Sequence, residues 1–169
     1  RDLARRFGAA PPPAGANHWS ADLGPLRVAW ERHTEFTRYT FVVPGLGDGE
    51  PFAEPAVAAL PAEWVAGLAG EVMVATHVCL DRAGDAPLDL DGLSQRLFTG
   101  NVLVGAAVAG GAATALTDFR IHADGFGRLA VFDRSLAPRQ AGRTVQRLLE
   151  IDTYRIMALL ALPVARQLA

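Results

Sequence analysis

The sequence predicts an α+β protein, a two-layer sandwich of largely antiparallel sheet with helices on one face and a long C-terminal helix. Three observations lead there. Period-two alternation with tight-turn signals brackets both ends of the strand region. Helical periodicity recurs between and after the strands. The resulting order, β-β-α-β-α-β-β-β-α, places hairpins at both ends of the sheet. The expected organisation is a flexible Pro/Ala/Gly-rich arm over 1–24, followed by one α+β domain over 25–169.

Residues 8–24 are rich in Ala, Pro and Gly, and Pro11, Pro12 and Pro13 favour extended polyproline conformation. Residues 26–43 contain neither Gly nor Pro. Leu26, Val28 and Trp30 are apolar at even positions, and Tyr39, Phe41 and Val43 at odd ones. One straight strand would send these sets to opposite faces. Two strands joined by an even-length turn near 32–35 unite them; a bulged long strand is the alternative. Residues 44–51 form a Gly-rich loop, and 52–68 read as a helix, with Pro55 near its first turn and Trp64 and Leu68 spaced by four.

Residues 71–80 alternate as a strand, 81–89 form a loop and 90–98 a short helix. Gly110-Gly111 is a two-residue hairpin signal between strands 101–109 and 112–121. A three-residue loop, with Ala123 opposite Gly127, would set Ile121 against Leu129 and Phe119 against Val131. Asp118, Arg120 and His122 then share the opposite face. Pro138 fits the first turn of a helix running to about residue 162, and Pro163 should end or kink it.

Composition removes whole classes of chemistry. The chain has 169 residues, a formal net charge of −2 and 16 basic residues, all Arg. Without Lys there is no Schiff base with pyridoxal phosphate and no P-loop lysine, so both cofactor classes are disfavoured and the cofactor is otherwise unknown. One Cys excludes an internal disulfide framework. The near-neutral balance argues against a nucleic-acid partner. The most apolar window, 156–165, is too short for a membrane span, which needs about 20 apolar residues, so the chain alone is expected to be soluble.

Four elements could carry chemistry. Glu31, His33 and Glu35, with Arg32 and Thr34 between, could supply acid–base groups or metal ligands; the plainer reading is a solvated turn neutralised by Arg32. Asp118, Arg120, His122 and Asp124 could orient a His against a carboxylate, or form a charge ladder over an open sheet face. His33 and His122 are the candidate metal ligands, but no His-x-His or His-x-x-x-His spacing supports them. Arg139, Arg143 and Arg147 step along one helix face and could grip a phosphate, an acidic partner or lipid headgroups, or simply be solvated. Asp152 interrupts the apolar stripe of that helix and would need a partner, expected to be an Arg from the sheet. The run from Pro44 to Gly49 resembles a nucleotide loop only superficially, because it leads into Glu50-Pro51 rather than a helix. His77 and Cys79 share a strand face and read as core.

Three runs are distinctive: residues 30–41 (WERHTEFTRYTF), 117–126 (TDFRIHADGF) and 138–166, beginning PRQAGRTVQRLLEIDTYR. Together they resemble a bacterial family of uncharacterised, predicted membrane-anchored proteins, the domain of unknown function 3422. The resemblance runs from about Gly24 to the end and implies the soluble middle portion of longer proteins. Those proteins carry transmembrane segments in a C-terminal helical region. It implies membrane association of the full-length protein, with this part in the cytoplasm, and carries over no catalytic residue.

The expected function is a binding or scaffold module, with a protein partner or second copy engaged through the C-terminal helix. Membrane contact would come only through segments absent from this chain. The alternatives are a hydrolase or metal-assisted enzyme using the His/carboxylate groups, and an anionic-ligand or lipid-headgroup sensor.

Overall fold

The computed structural model describes residues 1–45, 49–84 and 86–167. Residues 46–48 of the Gly-rich run, and Asp85 in the 81–89 loop, lie outside the described residues. The chain is α+β and divides into two compact units, Arg1–Ala69 and Gly70–Ala169.

The first unit holds a three-stranded antiparallel sheet in the order β1-β2-β3, formed by β1 (His18–Asp22), β2 (Arg27–Arg32) and β3 (Thr37–Val42). The hairpin read from residues 26–43 is present. Val28 lies opposite Phe41 and Trp30 opposite Tyr39, so the even and odd apolar sets do share one face. Its turn, residues 33–36, closes with the His33 amide donating to the Phe36 carbonyl at 2.9 Å.

Within the stretch expected as an arm, the structure has a short helix, α1 (Asp2–Arg6), and strand β1. Leu3 and Leu23 are buried with Leu26, Val28 and Leu60 in this unit's core. The single helix expected over 52–68 is instead a 3₁₀ turn, Ala56–Ala59, and a short helix, α2 (Ala62–Ala66). Pro61 is the cause. A proline forces the residue before it out of the helical region, and Leu60 is extended at φ −94° and ψ 148°.

The second unit holds a mixed sheet in the order β4-β7-β6-β5: β4 (Thr76–Arg82), β5 (Val104–Val108), β6 (Ala113–Thr117) and β7 (Gly127–Asp133). The strands thus divide between two sheets, and β4 pairs with β7 in parallel. β4 begins later than the alternation from residue 71 predicted. Helix α3 (Leu90–Phe98) has the predicted span. Asp89 caps it by accepting the Gly92 amide at 3.0 Å, and Thr99 ends it in the left-handed region.

Both hairpin turns of this sheet depart from expectation. Val108 pairs with Ala113, so residues 109–112 form a four-residue loop rather than a two-residue one. Ala109, Gly110 and Gly111 all have positive φ there. At the second turn, Thr117 rather than Ile121 lies opposite Leu129, and Ala115 rather than Phe119 opposite Val131. β6 stops early because side chains take its backbone donors. Thr117 Oγ1 accepts the Phe119 amide and Asp118 Oδ1 the Arg120 amide, each at 3.2 Å, and Phe119 turns to φ +52°. The three-residue loop exists one position earlier, closed by the His122 amide on the Phe126 carbonyl at 2.9 Å. Phe119 and Ile121 are consequently exposed.

Helix α4 (Pro138–Gln167) covers one sheet face. Ala141, Val145 and Leu148 pack with Leu136 on Ala113, Ala115, Leu129 and Val131. It runs on through Pro163 rather than stopping there. Phe98, Leu116 and Val131 are among the most deeply buried side chains. Truncating Phe98 to Ala should cost about 3–5 kcal/mol of unfolding free energy. Urea denaturation followed by circular dichroism measures it, and a cost near zero would remove Phe98 from the core.

Candidate functional site

The first group sits at the β2–β3 hairpin. Strand pairing sets Glu31 opposite Arg38, and Arg38 Nε donates to the Glu31 carboxylate at 2.8 Å. His33 Nε2 stands 3.8 Å from the same carboxylate, and the His33 ring stacks on Phe36 at 4.4 Å. Glu35 is exposed and has no charged partner among the described residues. Arg38, not Arg32, neutralises this turn; Arg32 forks onto the Asn17 side-chain oxygen.

The second group belongs to the other unit. Asp118, Arg120 and His122 do not form a strand row, because β6 ends at Thr117. The turn nevertheless folds His122 back, and its Nε2 comes within 3.0 Å of Asp118 Oδ2 with both side chains buried. The approach lies off the N–H axis, so His122 Nε2 makes no aligned hydrogen bond. Asp118 is well occupied: Asn101 Nδ2 donates to it at 2.9 Å, besides the Arg120 amide. Arg120 itself points to solvent. Glu31 and His33 lie in the first unit, and Asp118 and His122 in the second.

Asp124 serves a histidine that sequence reasoning assigned to plain core. Its Oδ1 accepts the Phe126 amide at 3.0 Å, and its Oδ2 lies 3.6 Å from His77 Nε2. The His77 ring lies flat on Phe126, 4.0 Å between centroids. Burial pushes the His77 pKa below its ordinary 6.5; Asp124 pulls it back up and Arg128 pushes it further down. Burial likewise raises the Cys79 thiol to about 11, with Asp81 adding to the rise and Arg96 opposing it. Such a thiol is a poor nucleophile at neutral pH. Among the described residues, no group of three or more His, Cys, Asp or Glu side chains could hold a metal ion.

Helix α4 carries the remaining candidates. Arg139, Arg143 and Arg147 are all exposed, and no acidic partner meets them among the described residues. Asp152 is half-buried and paired within its own helix. Arg155 Nη2 lies 2.6 Å from its Oδ1, and Thr76 Oγ1 donates to Oδ2 at 3.4 Å. The expected sheet arginine is not its partner, because Arg155, one turn on, reaches it first. Arg155 also stacks over the Phe119 ring, 5.1 Å from its centroid.

Sequence reasoning missed an aromatic row. β1 sets Trp19 opposite Trp30, and β3 sets Tyr39 opposite Trp30, so three rings cross the first sheet on one face. Trp64 of α2 stands edge-on to Tyr39, 5.7 Å between centroids, and to Phe41 at 6.0 Å. All three tryptophans of the chain and Tyr39 line one cavity of about 440 Å³. The signal was the alternation Trp19–Ala21, hidden because the surrounding Pro/Ala/Gly composition read as an arm.

The model of a family described as a protein of unknown function (DUF3422) matches residues 1–169. No curated protein and no solved structure matches the chain.

The depressed His77 pKa has a definite consequence. The unfolded chain binds its proton near pH 6.5 and the folded chain only at lower pH, so stability falls as pH drops below about 6.5. The variant His77→Phe keeps a ring on Phe126 and cannot take the proton. Melting temperatures of the two proteins between pH 7.5 and 5 should diverge, with the wild type losing more on acidification. Parallel curves would show that His77 is not buried neutral.

Proposed function

Since the chain belongs to the DUF3422 family of unknown function, we propose that it is a binding or scaffold module of a bacterial membrane-anchored protein, acting on the cytoplasmic side through the end of α4. The observation that carries this reading is the apolar, uncovered end of that helix. Leu159, Leu160, Leu162 and Val164 are 42–60% exposed, and no charged residue occurs from position 156 to 165. A helix apolar all round ordinarily lies buried, and a contiguous exposed patch of this kind marks an interaction surface. No helix among the described residues is long and apolar enough to cross a membrane, so in this reading the anchor is supplied by other chain of the family's longer proteins.

The occupant best matched to this end is a second copy. Ile156, Leu159, Leu160, Pro163 and Val164 form a stripe of helical period. Two such stripes packed antiparallel about Leu159 would set Arg166 of one copy opposite Asp152 of the other, twice by symmetry. Sedimentation equilibrium should give twice the monomer mass for the wild type. Leu159→Glu with Leu160→Glu should give the monomer mass with an unchanged circular dichroism spectrum. A wild type monomeric at every concentration would remove the second copy as the occupant.

The three unpartnered arginines favour a second reading, an anionic surface bound along α4. Their steps of four residues set them about 6 Å apart on one helix face. Co-sedimentation with phosphatidylglycerol vesicles should exceed that with phosphatidylcholine and fall with added salt. Arg139→Gln, Arg143→Gln and Arg147→Gln together should abolish the difference. Equal binding to both vesicle types would exclude it.

A further inference from the structure

We propose that the aromatic cavity of the first unit is a groove for a proline-rich peptide segment flanked by acidic residues. The groove lies wholly within residues 1–69, so its test is independent of α4.

Its floor is a ladder. Trp19, Trp30 and Tyr39 come from three adjacent strands, spaced about 4.8 Å apart, so the rings span about 10 Å. Trp64 forms a wall at right angles, 83° from the Tyr39 plane. Rings held on a sheet and braced edge-on are fixed before any ligand arrives, which lowers the entropic cost of binding. Extended proline segments suit such a surface. They are stiff in advance, present flat pyrrolidine faces to aromatic rings and leave their carbonyls free for indole N–H donors.

The chain itself displays the indole–carbonyl part of this contact. Pro12 and Pro13 line the cavity, and the Trp19 indole N–H donates 3.1 Å to the carbonyl of Ala10, just before the prolines. That internal strap engages one indole. The indole N–H groups of Trp30 and Trp64 have no protein acceptor among the described residues. A cavity of about 440 Å³ beside them falls in the range of ordinary ligand sites.

The rim sets the charge preference. Asp2 is engaged by Arg6 at 2.8 Å. Arg32 spends its guanidinium on the neutral side-chain oxygen of Asn17, and Arg1 also lines the cavity. Arg6 is shared with Glu63, so Arg1, Arg6 and Arg32 stand against Asp2 and Glu63 and leave one positive charge in excess at the rim, which favours an acidic residue beside the prolines.

Every tryptophan of the chain lies at this groove, so intrinsic fluorescence reports on it directly. The wild-type chain is titrated with a synthetic peptide of consecutive prolines flanked by aspartates. A saturable shift in emission is expected, with no response to the same peptide carrying alanines for prolines. Trp64→Phe keeps the ring and removes the N–H, and should weaken binding about three- to tenfold. Replacing Pro11, Pro12 and Pro13 with alanines weakens the strap and should tighten binding several-fold; folding of each variant is checked by circular dichroism. No response from either the wild type or the strap variant overturns the proposal. An equal response to the alanine peptide overturns it too, as does a response to an oligosaccharide in place of the peptide.

Discussion

Strand pairing sets directly opposed residues on the same face of a sheet, about 5 Å apart, and register therefore decides where reactive and recognising side chains go. In the first unit it lines up Trp19, Trp30 and Tyr39 and sets Glu31 against Arg38. In the second it ends β6 at Thr117, which turns Asp118 and His122 inward together and leaves Phe119 and Ile121 outside. A one-residue slip in either sheet would disperse the arrangement which that sheet holds.

Two local devices act alongside those registers. At the end of β6, Thr117 and Asp118 accept backbone amides that would otherwise extend the ladder. Asp118 then gathers Asn101 and His122 around one carboxylate. This cluster lies buried at the chain reversal that follows β6. In the first unit, Pro61 splits an apolar stretch into two short turns, and the second of them places Trp64 against Tyr39 and Phe41. Proline thus shapes the groove twice, once through this break and once through the strap at Pro12 and Pro13.

Much of the architecture was legible because it rests on local signals. The α+β class, the span of α3, the faces of the β2–β3 hairpin and the start of α4 follow from alternation, capping and helical period. The site was less legible. The Asp118–His122 pair was anticipated as a row on a strand, and the structure joins the two through a turn instead. The Asp152 partner was sought on the sheet, whereas Arg155 lay one helical turn away. His77 and its stacking on Phe126 could not be read, because they depend on a loop meeting the start of β4.

The sequence by itself determined which chemistry is out of reach. Without Lys, and with a single Cys, the chain forms no lysine Schiff base and no internal disulfide, and these are facts of composition. It also determined the spacing of Arg139, Arg143 and Arg147 on one face and the uncharged run from 156 to 165, because helical geometry is local. Only the tertiary structure decided which arginines stay unpaired and which apolar residues stay uncovered. It alone gathered all three tryptophans around one cavity. Those outcomes depend on contacts between residues far apart in the chain, and a Pro/Ala/Gly-rich stretch such as the one before Trp19 carries no local mark of the strand it joins.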